Sequence, residues 1–122
     1  MKFFYTPHMK KTYQFGILAE TVATIFLRLK FYKILYRRHR NHFGEIDIIA
    51  KKGRCIIFVE VKARKSKVTI EEMLTNAQIA RIFSCAEFFI AKNPQFQQLD
   101  WRFDFIEVNR FLALKHHRNF VS

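Results

Sequence analysis

An α/β domain with a mixed sheet is the fold class the sequence predicts, in the order helix, strand, strand, strand, helix, strand. Three observations predict it. A helix-spaced stretch opens the chain, two β-rich runs flank a Gly-containing turn in the middle, and a long helical stretch leads to a final alternating strand. The second helix can act as a crossover, bringing the last strand parallel to a neighbour. At 122 residues, 50% of them hydrophobic and with only 3 Gly and 2 Pro, the chain suits one domain with ample core material and does not read as disordered.

Residues 1–12 mix aromatic and basic side chains around Pro7 and read as a flexible basic arm. From Tyr13 to Leu29, Leu18, Val22, Ile25 and Leu29 recur at helical spacing, with Glu20 and Thr24 on a different face. Residues 31–38 read as a first strand, followed by a polar basic loop to Phe43. The runs 45–50 and 55–62 form a hairpin turning at Lys52-Gly53. Thr69 with Glu72 fits a capping box that opens a helix over 70–91, striped by Met73, Ala77, Ala80, Ile82 and Phe83 and ended by Asn93-Pro94. The last strand is Trp101–Val108. Residues 110–122 read as a basic C-terminal tail without pattern, in which His116 and His117 are solvated.

Lys plus Arg number 22 against 10 Asp plus Glu, a formal charge of +12. Such a field attracts polyanions, nucleic acid foremost. An anionic membrane surface or a plain solvated basic face are the alternatives. No acidic residue occurs from Thr21 to Gly44, a basic run of Arg28, Lys30, Lys33, Arg37, Arg38 and Arg40 with Phe31, Tyr32 and Tyr36 interleaved. Those cations suit sequence-independent phosphate contacts, or are simply solvated. The stretch 13–27 lacks Lys and Arg but holds Glu20 and is too short to span a membrane comfortably. No cleavage site follows it, so a soluble cytoplasmic protein is expected, without a membrane partner. Cys55 and Cys85 are far apart and read as reduced core residues, and the His residues lack zinc-ligand spacing.

The chemistry-bearing candidates are Asp47, Glu60 and Lys62. Charged groups in so apolar a hairpin cost free energy unless paired or metal-bound. Glu60 and Lys62 project from one face, about 7 Å apart along the strand. Asp47 joins that face only if the turn holds an even number of residues. Two carboxylates beside one ammonium can hold Mg²⁺ or Mn²⁺ with waters to spare for a phosphate oxygen. An ordinary salt-bridged sheet surface has the same spacing. Arg64 continues the face of Lys62. Glu45, on the face of Asp47, supports the site or caps the strand, and Asp104 is a structural partner for a basic residue.

The runs Gly44-Glu45-Ile46-Asp47-Ile48-Ile49-Ala50 and Phe58-Val59-Glu60-Val61-Lys62-Ala63-Arg64, with Gly16 and Glu20 upstream and Arg102-Phe103-Asp104 downstream, closely resemble the YraN family of uncharacterised bacterial proteins. The likeness covers roughly residues 13–109. That family resembles the Holliday-junction-resolvase-like branch of the PD-(D/E)xK nucleases, which implies a restriction-endonuclease-like core in a nuclease-like domain over 13–109. The resemblance implies Glu20, Asp47 and Glu60 as ligands of Mg²⁺ or Mn²⁺, and Lys62 as the catalytic lysine beside Asp47 and Glu60. The other reading of a lone Glu20 is a charge in the N-terminal half of the helix satisfied by a neighbouring Lys. Gln78 matches a polar helix position often preceded by Lys, where this chain has Ala77. With Arg37, Arg38, Arg40 and Arg64, it completes the expected nucleic-acid contacts. Structured DNA is the implied substrate and phosphodiester hydrolysis the implied reaction. The alternative is an inactive nucleic-acid-binding module in repair or recombination. Junction resolvases work as dimers, so a homodimer is admitted, although the residues show no interface.

Overall fold

The hairpin around Gly53 forms β2 (Gly44–Lys52) and β3 (Cys55–Arg64) in a computed structural model that describes residues 7–64 and 70–121. Lys52 lies opposite Cys55, so the two-residue turn is Gly53-Arg54, one residue later than expected. The even loop is preserved. Gly53 takes φ +59 with open space where a Cβ would stand. Gly53→Ala should therefore cost backbone strain alone, about 1–2 kcal/mol, readable as a lower denaturant midpoint.

Helix α1 (Pro7–Leu29) precedes β1 (Lys33–Asn41), and α2 (Ile70–Met73), α3 (Asn76–Lys92), β4 (Asp100–Asn109) and β5 (Leu114–Val121) follow the hairpin. The sheet runs β1-β2-β3-β4-β5. Only β3 and β4 pair in parallel, joined by the α3 crossover as expected. Alternation along the strands splits the core between two faces. Ile48, Ala50, Ile57, Val59, Ile106 and Val108 pack on α1. Ile49, Ile56, Phe58 and Phe103 pack on α3 through Cys85, Ala86 and Phe89.

Several expectations shift. The chain is already helical from Pro7, within the span read as an arm, while residues 1–6 lie outside the described ones. The first strand is 33–41 rather than 31–38, because Phe31 (φ 68) finishes the turn after α1. The buried face of α1 is Ala19, Ala23 and Leu27; Leu18, Ile25 and Leu29 are exposed. Alanines let the helix axis approach the sheet closely, and Val22 alone of the expected stripe packs there. Glu20 and Thr24 are carried inward with the alanines.

The helix expected over 70–91 is broken at Leu74-Thr75. Thr75 and Gln78 form the capping box of α3, with bonds of 3.2 and 3.1 Å. Thr69 lies outside the described residues. Restarting at Asn76 rotates the phase, so Ala77 and Ala80 are exposed. The tail read as unpatterned contains β5, whose sequence KHHRNF lacks strong alternation because it closes an edge of the sheet. His116 is therefore not solvated: its side chain is 11% exposed and bonded to Asp104.

Candidate active site

Pairing between β2 and β3 stops at Ile48 opposite Val59, although both strands run on. At that point a side chain replaces the ladder. Asp47 Oδ2 accepts a 2.8 Å hydrogen bond from the Val61 backbone N–H, which pairs a donor that strand separation would orphan. The carboxyl of Asp47 also hydrogen-bonds that of Glu60. The two acids thus meet on one side, as the even turn requires. Lys62 Nζ sits 3.8 Å from Glu60 Oε1, with the Glu60 side chain 16% exposed.

Two carboxylates in contact cannot both ionise without a cation between them. Burial pushes the Glu60 carboxyl up, the charge of Asp47 and its hydrogen bond add to the push, and together they raise it to about 9, against a weaker pull from Lys62. Asp47 is also raised by burial, with its bonds to Glu60 and Val61 holding the shift back. Burial and the charge of Asp47 push Glu60 up, while the contact with Glu60 holds Asp47 down, so the shared proton is placed on Glu60. A site that holds a proton between two acids, with one lysine near, has the donor chemistry for a divalent cation in the proton's place.

Glu20 stands apart from this pair. Arg38 Nε donates to both its oxygens at 3.2 and 3.3 Å, and Arg37 lies at 3.5 Å. It is near enough for its charge to act on Asp47, behind the larger effects of burial and hydrogen bonding. Among the described residues no group of three or more acids, His or Cys could hold a metal ion. The structure therefore brings together Asp47, Glu60 and Lys62, and ties Glu20 to β1.

The predicted phosphate-binding residues are engaged too. Arg40 pairs with Glu45 at 2.9 Å, which leaves Glu45 bound across the hairpin rather than to Asp47. Arg64 bonds Glu107 at 3.3 and 3.4 Å. Gln78 spends its amide oxygen on the helix cap, yet lines an open cleft of about 140 Å³ with Gly44, Glu45, Glu60, Arg81 and Ile82. Arg81 was not anticipated. It is exposed at the cleft edge and has no hydrogen-bond or ion-pair partner among the described residues. Its spacing of three from Gln78 on one helix would have revealed the shared face. Asp104 takes the structural role expected of it, bonded by Arg102 and His116.

A mixed five-stranded sheet with helices on both faces, and an acid pair and lysine where two strands part, define a domain with a restriction-endonuclease-like core. The profile of "Uncharacterised protein family UPF0102" matches residues 19–108, and the chain belongs to that family, also called YraN. It is 40% identical over 99 residues to a UPF0102 protein of Mesorhizobium japonicum, covering 81% of this chain and 79% of the relative. A UPF0102 protein of Rhizobium etli is 38% identical over 111 residues, 91% of each chain. One of Campylobacter hominis is 37% identical over 100 residues, 82% of this chain and 88% of its own. Strand β5 lies beyond the matched region. No described helix is long and apolar enough to cross a membrane.

Proposed function

We propose that this chain binds nucleic acid and hydrolyses phosphodiester bonds in structured DNA with the help of Mg²⁺ or Mn²⁺. The observation that carries this reading is the meeting of Asp47 and Glu60 beside Lys62 at the parting of β2 and β3. Asp47 and Glu60 would hold the cation, which when bound supplies an activated water and neutralises charge gathering on the phosphate. The residues divide the remaining work. Lys62 is placed to orient the attacking water or to offset negative charge in the transition state. Asp47 is kept in orientation by the Val61 N–H. Arg81 and Gln78 line the cleft where a phosphate would approach Glu60, and the net charge of +12 draws the polyanion in.

The test is a paired binding and cleavage assay with Mn²⁺ or Mg²⁺ over branched, flapped and single-stranded DNA and RNA. Cleavage should vanish in Glu60→Ala while binding persists. Lys62→Ala should lower the rate about 10²–10³-fold, the scale of removing one charge-stabilising group. Cleavage that survives Glu60→Ala belongs to a contaminant and rejects the assignment.

One observation favours a second reading. Glu20, the third acid implied for the metal, is held by Arg38 and Arg37. If that pairing persists with DNA bound, the chain is a nucleic-acid-binding module without turnover. Binding without cleavage across the substrate panel, with a steep loss of affinity as salt rises, would establish it.

A further inference from the structure

The β1–β2 connection carries two aromatic rings where turn chemistry gives no reason for them. Asn41 pairs with Gly44, so the two residues at the tip are His42 and Phe43. Neither residue takes a positive φ, so the tip makes no demand for Asn or Gly, and nothing in its backbone calls for an aromatic ring. Here both rings are exposed, Phe43 at 41%. Their centroids are 4.2 Å apart, and His42 rests edge-on against Phe88 of α3 at 4.7 Å. The tip is braced from beneath. The Phe43 N–H donates to Asn41 Oδ1 at 3.0 Å, and Asn41 Nδ2 donates to the Cys85 carbonyl at 3.2 Å. Gly44, the next residue along, lines the same cleft as Glu60 and Arg81.

We propose that His42 and Phe43 form a stacking platform for an unpaired nucleotide base, with its phosphate directed along the cleft toward Arg81 and Glu60. The proposal rests on the nucleic-acid reading above and narrows its substrate to strands with unpaired nucleotides: single strands, flaps or frayed junction arms. An exposed ring pays little entropy to stack on a base, and a base offers a flat face whatever its sequence. Continuous duplex keeps its bases stacked on one another and cannot use the platform without unpairing. Cations surround the tip in the right chemistry for the backbone of such a strand. Lys92 Nζ lies 5.4 Å over the Phe88 ring, and Arg40, 78% exposed, reaches the surface while paired with Glu45.

Fluorescence anisotropy of the full chain without divalent cation tests this on three ligands of equal length: an oligothymidylate, its abasic counterpart and a blunt duplex. Phe43→Ala is expected to weaken oligothymidylate binding about tenfold, with the other two ligands changed less than about twofold. Phe43→Trp should keep the affinity, and the added indole emission should be quenched when the oligothymidylate binds. No loss in Phe43→Ala, or an equal loss on all three ligands, overturns the platform while leaving the nucleic-acid reading intact. If the unaltered chain binds none of the three, the nucleic-acid reading fails and the platform falls with it. Circular dichroism of each variant separates lost stacking from lost folding.

Discussion

Apparent affinity for Mn²⁺ is expected to rise about tenfold for each pH unit across the neutral range, levelling near pH 9. The proton held by Glu60 sets this slope. Its carboxyl is lifted from 4.5 to about 9 by burial and by Asp47, so at neutral pH a cation must displace one proton to enter. Displacing one proton makes the logarithm of affinity climb one unit per pH unit until the proton leaves by itself. Calorimetric titration in buffers of different ionisation enthalpy should find close to one proton released near pH 7. Folding stability should respond in the opposite sense without the cation. Between pH 4.5 and about 9 the folded chain binds a proton that the unfolded chain has lost. Stability therefore falls as pH rises through that window. With Mn²⁺ in the proton's place, as proposed, the gap in melting temperature with and without it should widen toward pH 9. A pH-independent affinity with no proton release would mean that the cation binds elsewhere, and that Asp47 and Glu60 are only a buried acid pair.

The legibility of this site in the sequence was uneven for a physical reason. Strand alternation is a rule of fixed period, so the hairpin, the shared face of Glu60 and Lys62, and the condition on Asp47 followed from counting residues. The turn itself moved by one residue, yet an even loop stayed even and the conclusion held. Helices were harder. Hydrophobicity alone put Leu18, Ile25 and Leu29 inward on α1, but closeness of approach decided the face, and Ala19 and Ala23 won it. That choice also buried Glu20, which the sequence placed merely off the expected stripe. Ion pairing across elements is less legible still. No local pattern ties Glu20 to Arg38, or Arg64 to Glu107, because those contacts join strands and helices distant in the chain. β5 was missed because its basic residues mask a weak alternation, and because a long-range carboxylate, Asp104, is what fastens it.

That fastening sets the second large effect: Asp104→Ala is expected to destabilise the fold by about 3–5 kcal/mol, the usual result of stripping one partner from a buried charged network. The Asp104 side chain is fully buried. Arg102 donates to it at 2.9 and 3.1 Å, His116 Nε2 lies at 2.7 Å, and the Asn119 N–H donates at 2.9 Å. Two of those three partners belong to β5, and the β4–β5 register shifts at this point, between Phe103 and Phe105. The carboxylate thus closes an irregularity where the ladder cannot, and accepts an N–H from a residue at φ 52. Truncation would leave the half-buried Arg102 with Tyr32 as its remaining hydrogen-bonded oxygen, and the Asn119 N–H without its acceptor. A fall of roughly 10–20 °C in melting temperature should follow, with β5 the first segment opened to protease. Replacing both charges together, Arg102→Met with Asp104→Leu, should recover only the part due to the stranded guanidinium, because His116 and the Asn119 N–H still lose their acceptor. Burial alone would lift the Asp104 carboxyl, but its bonds from His116, Arg102 and Asn119 outweigh that and hold it below 3.8. Its contribution is therefore present above about pH 3.8 and is lost as pH falls through the depressed value, whereas the Asp47–Glu60 pair works against stability toward alkaline pH. The network touches Phe26 and Tyr32 through His116, on the α1 face of the sheet. Folded Asp104→Asn protein should then keep its Mn²⁺ affinity. Loss of affinity in that variant, with the fold intact by circular dichroism, would show that β5 supports the acid pair rather than the sheet alone.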